Sequence, residues 1–188
     1  AWRDGELHTQ NAPLNSGKGS AYEGGIREPM IVKWPGVTAA GTICEKPLII
    51  EDFYPTILEM AGIKQYKTVQ KIDGVSFMPL LNHTGDPSEG REFYWNFPNL
   101  WGNTGPGIGA TATIRKGDWK LIYYYESGRK ELFNIREDIG ETRNCEEQYP
   151  KLVKKLSKRL GNYLRKVKAQ RPAYKATASP VPWPGEVR

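Results

Sequence analysis

The sequence predicts an α/β fold whose second half has α+β character, and three stretches carry that expectation. The first is Gly17 to Gly36, GKGSAYEGGIREPMIVKWPG, where a glycine-framed lysine and a double glycine precede the apolar run Met30 to Trp34. The second is a pair of β-rich arms, Ala112–Arg115 and Trp119–Tyr125, around the turn Lys116-Gly117-Asp118, with a third arm at Glu131–Ile135. The third is an apolar stripe, Tyr149, Leu152, Val153, Leu156, Leu160, Tyr163, Leu164 and Val167, stepping by threes and fours as one helix face does.

The 188 residues are 38% hydrophobic, enough for one domain or a small pair and too much for a disordered chain. No run of eighteen apolar residues offers a membrane span, and the chain starts at Ala1 without a methionine or a signal segment, which we read as a fragment or a processed product. Cys44 and Cys145 stand far apart and suggest no zinc site; one disulfide and two buried thiols are both compatible with them. Asn82-His83-Thr84 is a glycosylation sequon, meaningful in a secreted glycoprotein.

The net charge of +6 is local. Ten basic residues between Lys151 and Lys175 have no acid among them, and the remainder carries 17 basic against 21 acidic residues. The basicity is therefore one helix face and its tail, and no nucleic-acid motif accompanies it. No nucleic-acid partner is expected.

Taken in order, residues 1–16 read as a polar loop containing His8. Gly17 and Gly19 permit positive φ on either side of Lys18 and let the backbone approach a bound anion. This is not a phosphate-binding P-loop, because Ala12 and Gly19 stand where that motif needs glycine and Ser or Thr. Gly24-Gly25 predicts a sharp reversal and Met30–Trp34 a short buried strand, ended by Pro35-Gly36. Asp52 is the expected N-cap of a helix with Phe53, Ile57, Met60 and Ala61 on one face and Gly62 as its stop. Asp73-Gly74 leads into a short apolar turn or helix ending at Leu81, and a turn-rich loop from His83 to Gly90 suggests a boundary between 1–85 and 86–188. Glu92–Trp101 reads as a strand running into an aromatic loop. Burying the stripe of the C-terminal helix against the sheet contributes on the order of 10 kcal/mol before entropy is subtracted. The tail beyond Arg171, with Pro172, Pro180, Pro182 and Pro184, should be extended and drape over another surface.

Several phrases in this order resemble the C-terminal part of type I sulfatases of the alkaline-phosphatase-like superfamily. They are Gly17-Lys18-Gly19 with Tyr22-Glu23-Gly24-Gly25-Ile26-Arg27 and Trp34-Pro35-Gly36; Asp52-Phe53-Tyr54-Pro55-Thr56-Ile57-Leu58; and Asp73-Gly74-Val75-Ser76-Phe77. Ile114-Arg115-Lys116-Gly117-Asp118-Trp119-Lys120-Leu121-Ile122, Glu131-Leu132-Phe133-Asn134-Ile135 and Asp138-Ile139-Gly140-Glu141-Thr142 complete the match. The resemblance implies that 1–85 is the end of a sulfatase catalytic core and 86–188 a C-terminal subdomain. It also implies a parent enzyme that hydrolyses a sulfate ester with a formylglycine hydrate and a divalent cation, usually Ca2+. Lys18 would be the catalytic donor to a sulfate oxygen, and His8 and Asn96 candidate substrate-binding residues, although the family often has histidines where Asn96 stands.

The family's Cys/Ser-x-Pro-x-Arg signature is matched neither by Cys44-Glu45-Lys46-Pro47 nor by Cys145-Glu146-Glu147-Gln148, and its Asp-Asn metal ligands have no counterpart. The 188-residue chain alone is therefore expected to be inactive. Its expected partners are a sulfated small molecule or glycan and the N-terminal catalytic region of the same protein, and its expected location is the periplasm or the medium. Two other readings stand beside this one: a module that binds anionic glycans through Lys18 and the basic helix, and a piece of a phosphate mono- or diester hydrolase.

Overall fold

The computed structural model describes residues 11–63, 65–100 and 105–186. The chain forms two compact units. One joins the segment ending at Glu28 to the segment beginning at Glu92, and the other is Pro29–Arg91. These units are not consecutive halves of the sequence, because the Lys18 segment hydrogen-bonds to residues more than eighty positions further along.

In the first unit four strands form an antiparallel meander: β1 (Glu92–Phe97), β2 (Thr111–Lys116), β3 (Trp119–Tyr124) and β4 (Lys130–Asn134), in the order β1-β2-β3-β4. Gly117 has φ +56° in the two-residue turn between β2 and β3, a backbone state that side-chain-bearing residues avoid. The register places Lys116 opposite Trp119 and Ile114 opposite Leu121. Alternation then divides the sheet. Ala112, Ile114, Leu121, Tyr123 and Leu132 face one side, while Ile122, Tyr124, Phe133 and Ile135 face the other.

The first face is covered by α4 (Pro150–Lys166), whose Leu156, Leu160 and Leu164 are buried on it. Tyr149 and Val167, at the ends of the expected stripe, are exposed. The proline-rich tail drapes over this unit's own core: Val181 and Trp183 are buried, and Tyr123 Oη donates to the Pro182 carbonyl at 3.1 Å. Gly161 in α4 is the residue that admits it, since a Cβ there would lie 2.1 Å from the Pro184 carbonyl oxygen. Cys44 and Cys145 are both free thiols, the first exposed and the second buried.

The second unit contains a 3-10 turn (Ile50–Asp52), α2 (Phe53–Met60) and α3 (Met78–Leu81). Asp52 does not cap α2 with its side chain. Its buried carboxylate instead accepts hydrogen bonds from the Ile49 and Val75 backbone N–H groups and a bidentate pair from Arg91, at 2.8 to 3.0 Å. The face of α2 predicted to be apolar and buried is partly open, with Ile57 and Met60 exposed, while Pro55 and Thr56 are buried. Met30–Trp34 is likewise not a strand, and Ile31 is 96% exposed. No strand among the described residues pairs with it, so its extended backbone satisfies no ladder.

Candidate functional site

The Lys18 loop lies on the face of the sheet opposite α4. Its anchor is not a reversal at Gly24-Gly25 but a single helical turn, α1 (Glu23–Ile26). The double glycine is needed because backbone packs directly on it. A Cβ on Gly24 would lie 2.3 Å from the Asn15 carbonyl oxygen, and one on Gly25 would lie 2.1 Å from Ser20 O and 2.6 Å from Gly17 O. The Gly24 N–H donates to Asn15 O at 2.9 Å, and the Asn11 amide donates to Gly24 O at 2.7 Å.

Within the loop the positive φ falls on Ser16 (+62°) and Gly19 (+91°), so the freedom expected of Gly17 is exercised one residue earlier. Gly17 is buried and Lys18 is exposed at the tip of the turn, which the Ser20 N–H closes by donating to Gly17 O. The segment after Lys18 is then tied to residues 106–108: Ser20 bridges to Ile108, its hydroxyl donates to Pro106 O at 2.9 Å, and Ala21 N–H donates to Gly107 O at 2.8 Å. Residues 106–108 are thus tied to the Lys18 segment, which composition alone did not indicate.

Two buried polar clusters lie under this segment. In one, the Tyr22 and Tyr124 hydroxyls both donate to Glu131 Oε2, at 2.9 and 2.6 Å. Burial and then the Glu131 carboxylate push both phenols well above their ordinary pKa, so they remain donors. In the other, Lys120 Nζ sits 2.9 Å from Glu23 Oε1 and 2.8 Å from Glu141 Oε1. Glu141 Oε2 accepts the Glu23 backbone N–H, at the start of α1. Sequence reasoning passed over these residues. The signal for Lys120 was its place on the same face of β3 as Ile122 and Tyr124, a face that is also buried.

Asn96 lies on the other face. Its amide donates to Gln170 O and accepts from Tyr125 Oη, both at 2.8 Å, tying β1 to the chain that leaves α4. The structure therefore does not bring Asn96 together with Lys18. His8 lies outside the described residues. Among the described residues no three His, Cys, Asp or Glu side chains converge to hold a metal ion, and none of their helices is long and apolar enough to cross a membrane.

The site is thus a meander covered on one face by a C-terminal helix, with the glycine-framed lysine loop held against the other. A family model described as "N-sulphoglucosamine sulphohydrolase, C-terminal" matches residues 17–168, and the chain belongs to that family. It is 32% identical over 186 residues to a protein named sulfatase from Formosa agariphila, covering 94% of this chain and 34% of that one. Arylsulfatase K of Danio rerio is 31% identical over 148 residues, 76% of this chain and 27% of the relative. The crystal structure of Ps i-CgsB in complex with k-i-k-neocarrahexaose superposes with a TM-score of 0.70 at 28% identity, over 88% of this chain and 34% of that one. The chain thus spans between about a quarter and a third of the length of these proteins.

Proposed function

We propose that this chain is the C-terminal portion of an enzyme that hydrolyses sulfate esters, and that Lys18 is its contribution to the reaction. The observation that carries the reading is the fixed Gly17–Gly19 turn. A lysine carried on a turn closed by its own backbone hydrogen bond is suited to donate to a sulfate oxygen and to stabilise charge as the bond to the departing alcohol oxygen breaks. The nucleophile comes from the upstream part of the protein. A cation in the parent would likewise take its ligands from there, because the residues described here do not form an oxygen-rich site; no step assigned to this chain runs through it.

The share of its relatives that the chain covers, about a third of the Formosa agariphila sulfatase, supports an upstream partner region. The k-i-k-neocarrahexaose bound in the similar structure supports a glycan as the alcohol part of the substrate, beside small aryl sulfates. We place the enzyme in the periplasm or the medium, a reading that a signal segment in the upstream coding sequence would support. The test is turnover of a chromogenic aryl sulfate by the chain joined to its upstream sequence, with none by the 188 residues alone.

A second reading rests on α4. Lys151, Lys154, Lys155 and Lys158 are exposed, and among the described residues no carboxylate lies within ion-pair distance of them, whereas Arg159 and Arg165 pair with Glu92 and Glu186. Such a stripe suits a sulfated polysaccharide, and salt-sensitive retention on heparin, lost on reversing these four charges, tests it.

A further inference from the structure

We propose that Lys120, locked between Glu23 and Glu141, is a positioning residue that sets the Lys18 loop; this rests on the reading of Lys18 given above. Lys120 is 0% exposed, and its two carboxylate partners are 2% and 3% exposed. A fully buried ammonium is a weak device for stability alone, because well-packed apolar side chains of similar volume often fill such a position at no greater free energy. What the ion cluster adds is direction.

The directional chain can be followed atom by atom. Lys120 and Arg115 are directly opposite each other on β3 and β2, and both reach Glu23, at 2.9 and 3.5 Å. Arg27 adds a longer contact at 3.9 Å. Glu141, whose backbone is held at φ +48°, meets Lys120 with one oxygen and the Glu23 N–H with the other, and its carbonyl accepts the Asn15 amide at 3.5 Å. Glu23 is therefore fixed through its side chain and its backbone by the same pair of residues. A helical turn of four residues has no stability of its own, so α1 keeps its place through its anchors, of which Glu23 is the one held by both side chain and backbone.

From Glu23 onward no rotatable side chain intervenes. Gly24 and Gly25 present bare backbone to Asn15, Ser16, Gly17 and Ser20, with the close approaches that no Cβ would allow. A shift of Glu23 is carried by backbone contact to the residues on either side of Lys18. Misplacing a reacting group by about 1 Å costs roughly a hundredfold in rate.

The experiment is a double-mutant cycle in the full-length enzyme, read as aryl sulfate hydrolysis. Lys120→Met is expected to lower kcat about thirtyfold, with KM changed less than about threefold. In the Lys18→Ala background the same substitution is expected to cost less than about twofold, because the aim of an absent ammonium no longer matters. Glu141→Gln, which keeps the shape and weakens the clamp, provides the same cycle if Lys120→Met does not fold. Equal losses in both backgrounds, an unchanged kcat, or failure of both variants to fold would each overturn the positioning role, since the cluster would then serve the fold alone. A wild-type rate in Lys18→Ala itself overturns the functional reading instead, and the two failures are thereby told apart.

Discussion

The Tyr94 ring stacks on that of Tyr163, with centroids 3.7 Å apart and planes 5° from parallel, and so ties the edge strand β1 to α4. Tyr94 Oη also donates to Glu92, whose carboxylate meets Lys116 and Arg159 at 2.6 Å. Edge strand and helix are thus joined by one aromatic contact and one charge network. Tyr163→Ala should lower stability by about 3 kcal/mol through lost area and lost stacking. Urea unfolding checks this, and a change below about 0.5 kcal/mol would show that the contact is incidental.

The same network sets a pH dependence. Burial alone would raise the Glu92 pKa, but hydrogen bonds from Lys116, Tyr94 and Arg159 outweigh it and hold the carboxyl down from 4.5 to about 2. A carboxylate depressed in the folded state contributes stability that is fully present above pH 4.5 and is lost as pH falls toward 2. Glu92→Gln should flatten the stability profile across that window. An unchanged acid limb in the variant would assign the loss to other carboxylates.

Gly25 and Gly85 should differ sharply in their tolerance of alanine. At Gly25 the added carbon meets backbone oxygens at 2.1 and 2.6 Å, so the Lys18 loop must move, at a cost on the order of a few kcal/mol. At Gly85 the nearest atom is 3.8 Å away. Activity of the full-length enzyme should fall more than about a hundredfold in Gly25→Ala and stay within about twofold in Gly85→Ala. Equal activities would show that the loop tolerates displacement.

Asp52 organises the second unit much as Lys120 organises the first. Removing its carboxylate takes the acceptor from the Ile49 and Val75 N–H groups and breaks the bidentate pair with Arg91. Asp52→Ala should destabilise that unit by about 3 kcal/mol or more. The check is limited proteolysis, with cleavage appearing within residues 29–91 while the sheet survives.

Regular elements were legible where local pattern and burial coincide. The arms around Gly117 and the Leu156, Leu160, Leu164 stripe appear where alternation and helical spacing put them. Met30–Trp34 was misread because an apolar run shows only that burial would be favourable, while a strand also needs a neighbour to pair with, and none among the described residues does so. The tail's extension could be read from its prolines, but not its bed on Gly161, which is a contact between distant residues. In the candidate site Lys18 stood out through its glycines. Its support did not: Glu23, Lys120 and Glu141 are spread over more than a hundred positions and are joined only by the fold.

The central claim is tested most directly by Lys18→Ala in the full-length protein, assayed by aryl sulfate turnover at saturating substrate. Loss of one fixed donor to the sulfate should lower kcat by roughly a hundredfold or more, about 3 kcal/mol, while the unfolding midpoint stays unchanged. A kcat equal to that of the unmodified enzyme would contradict it.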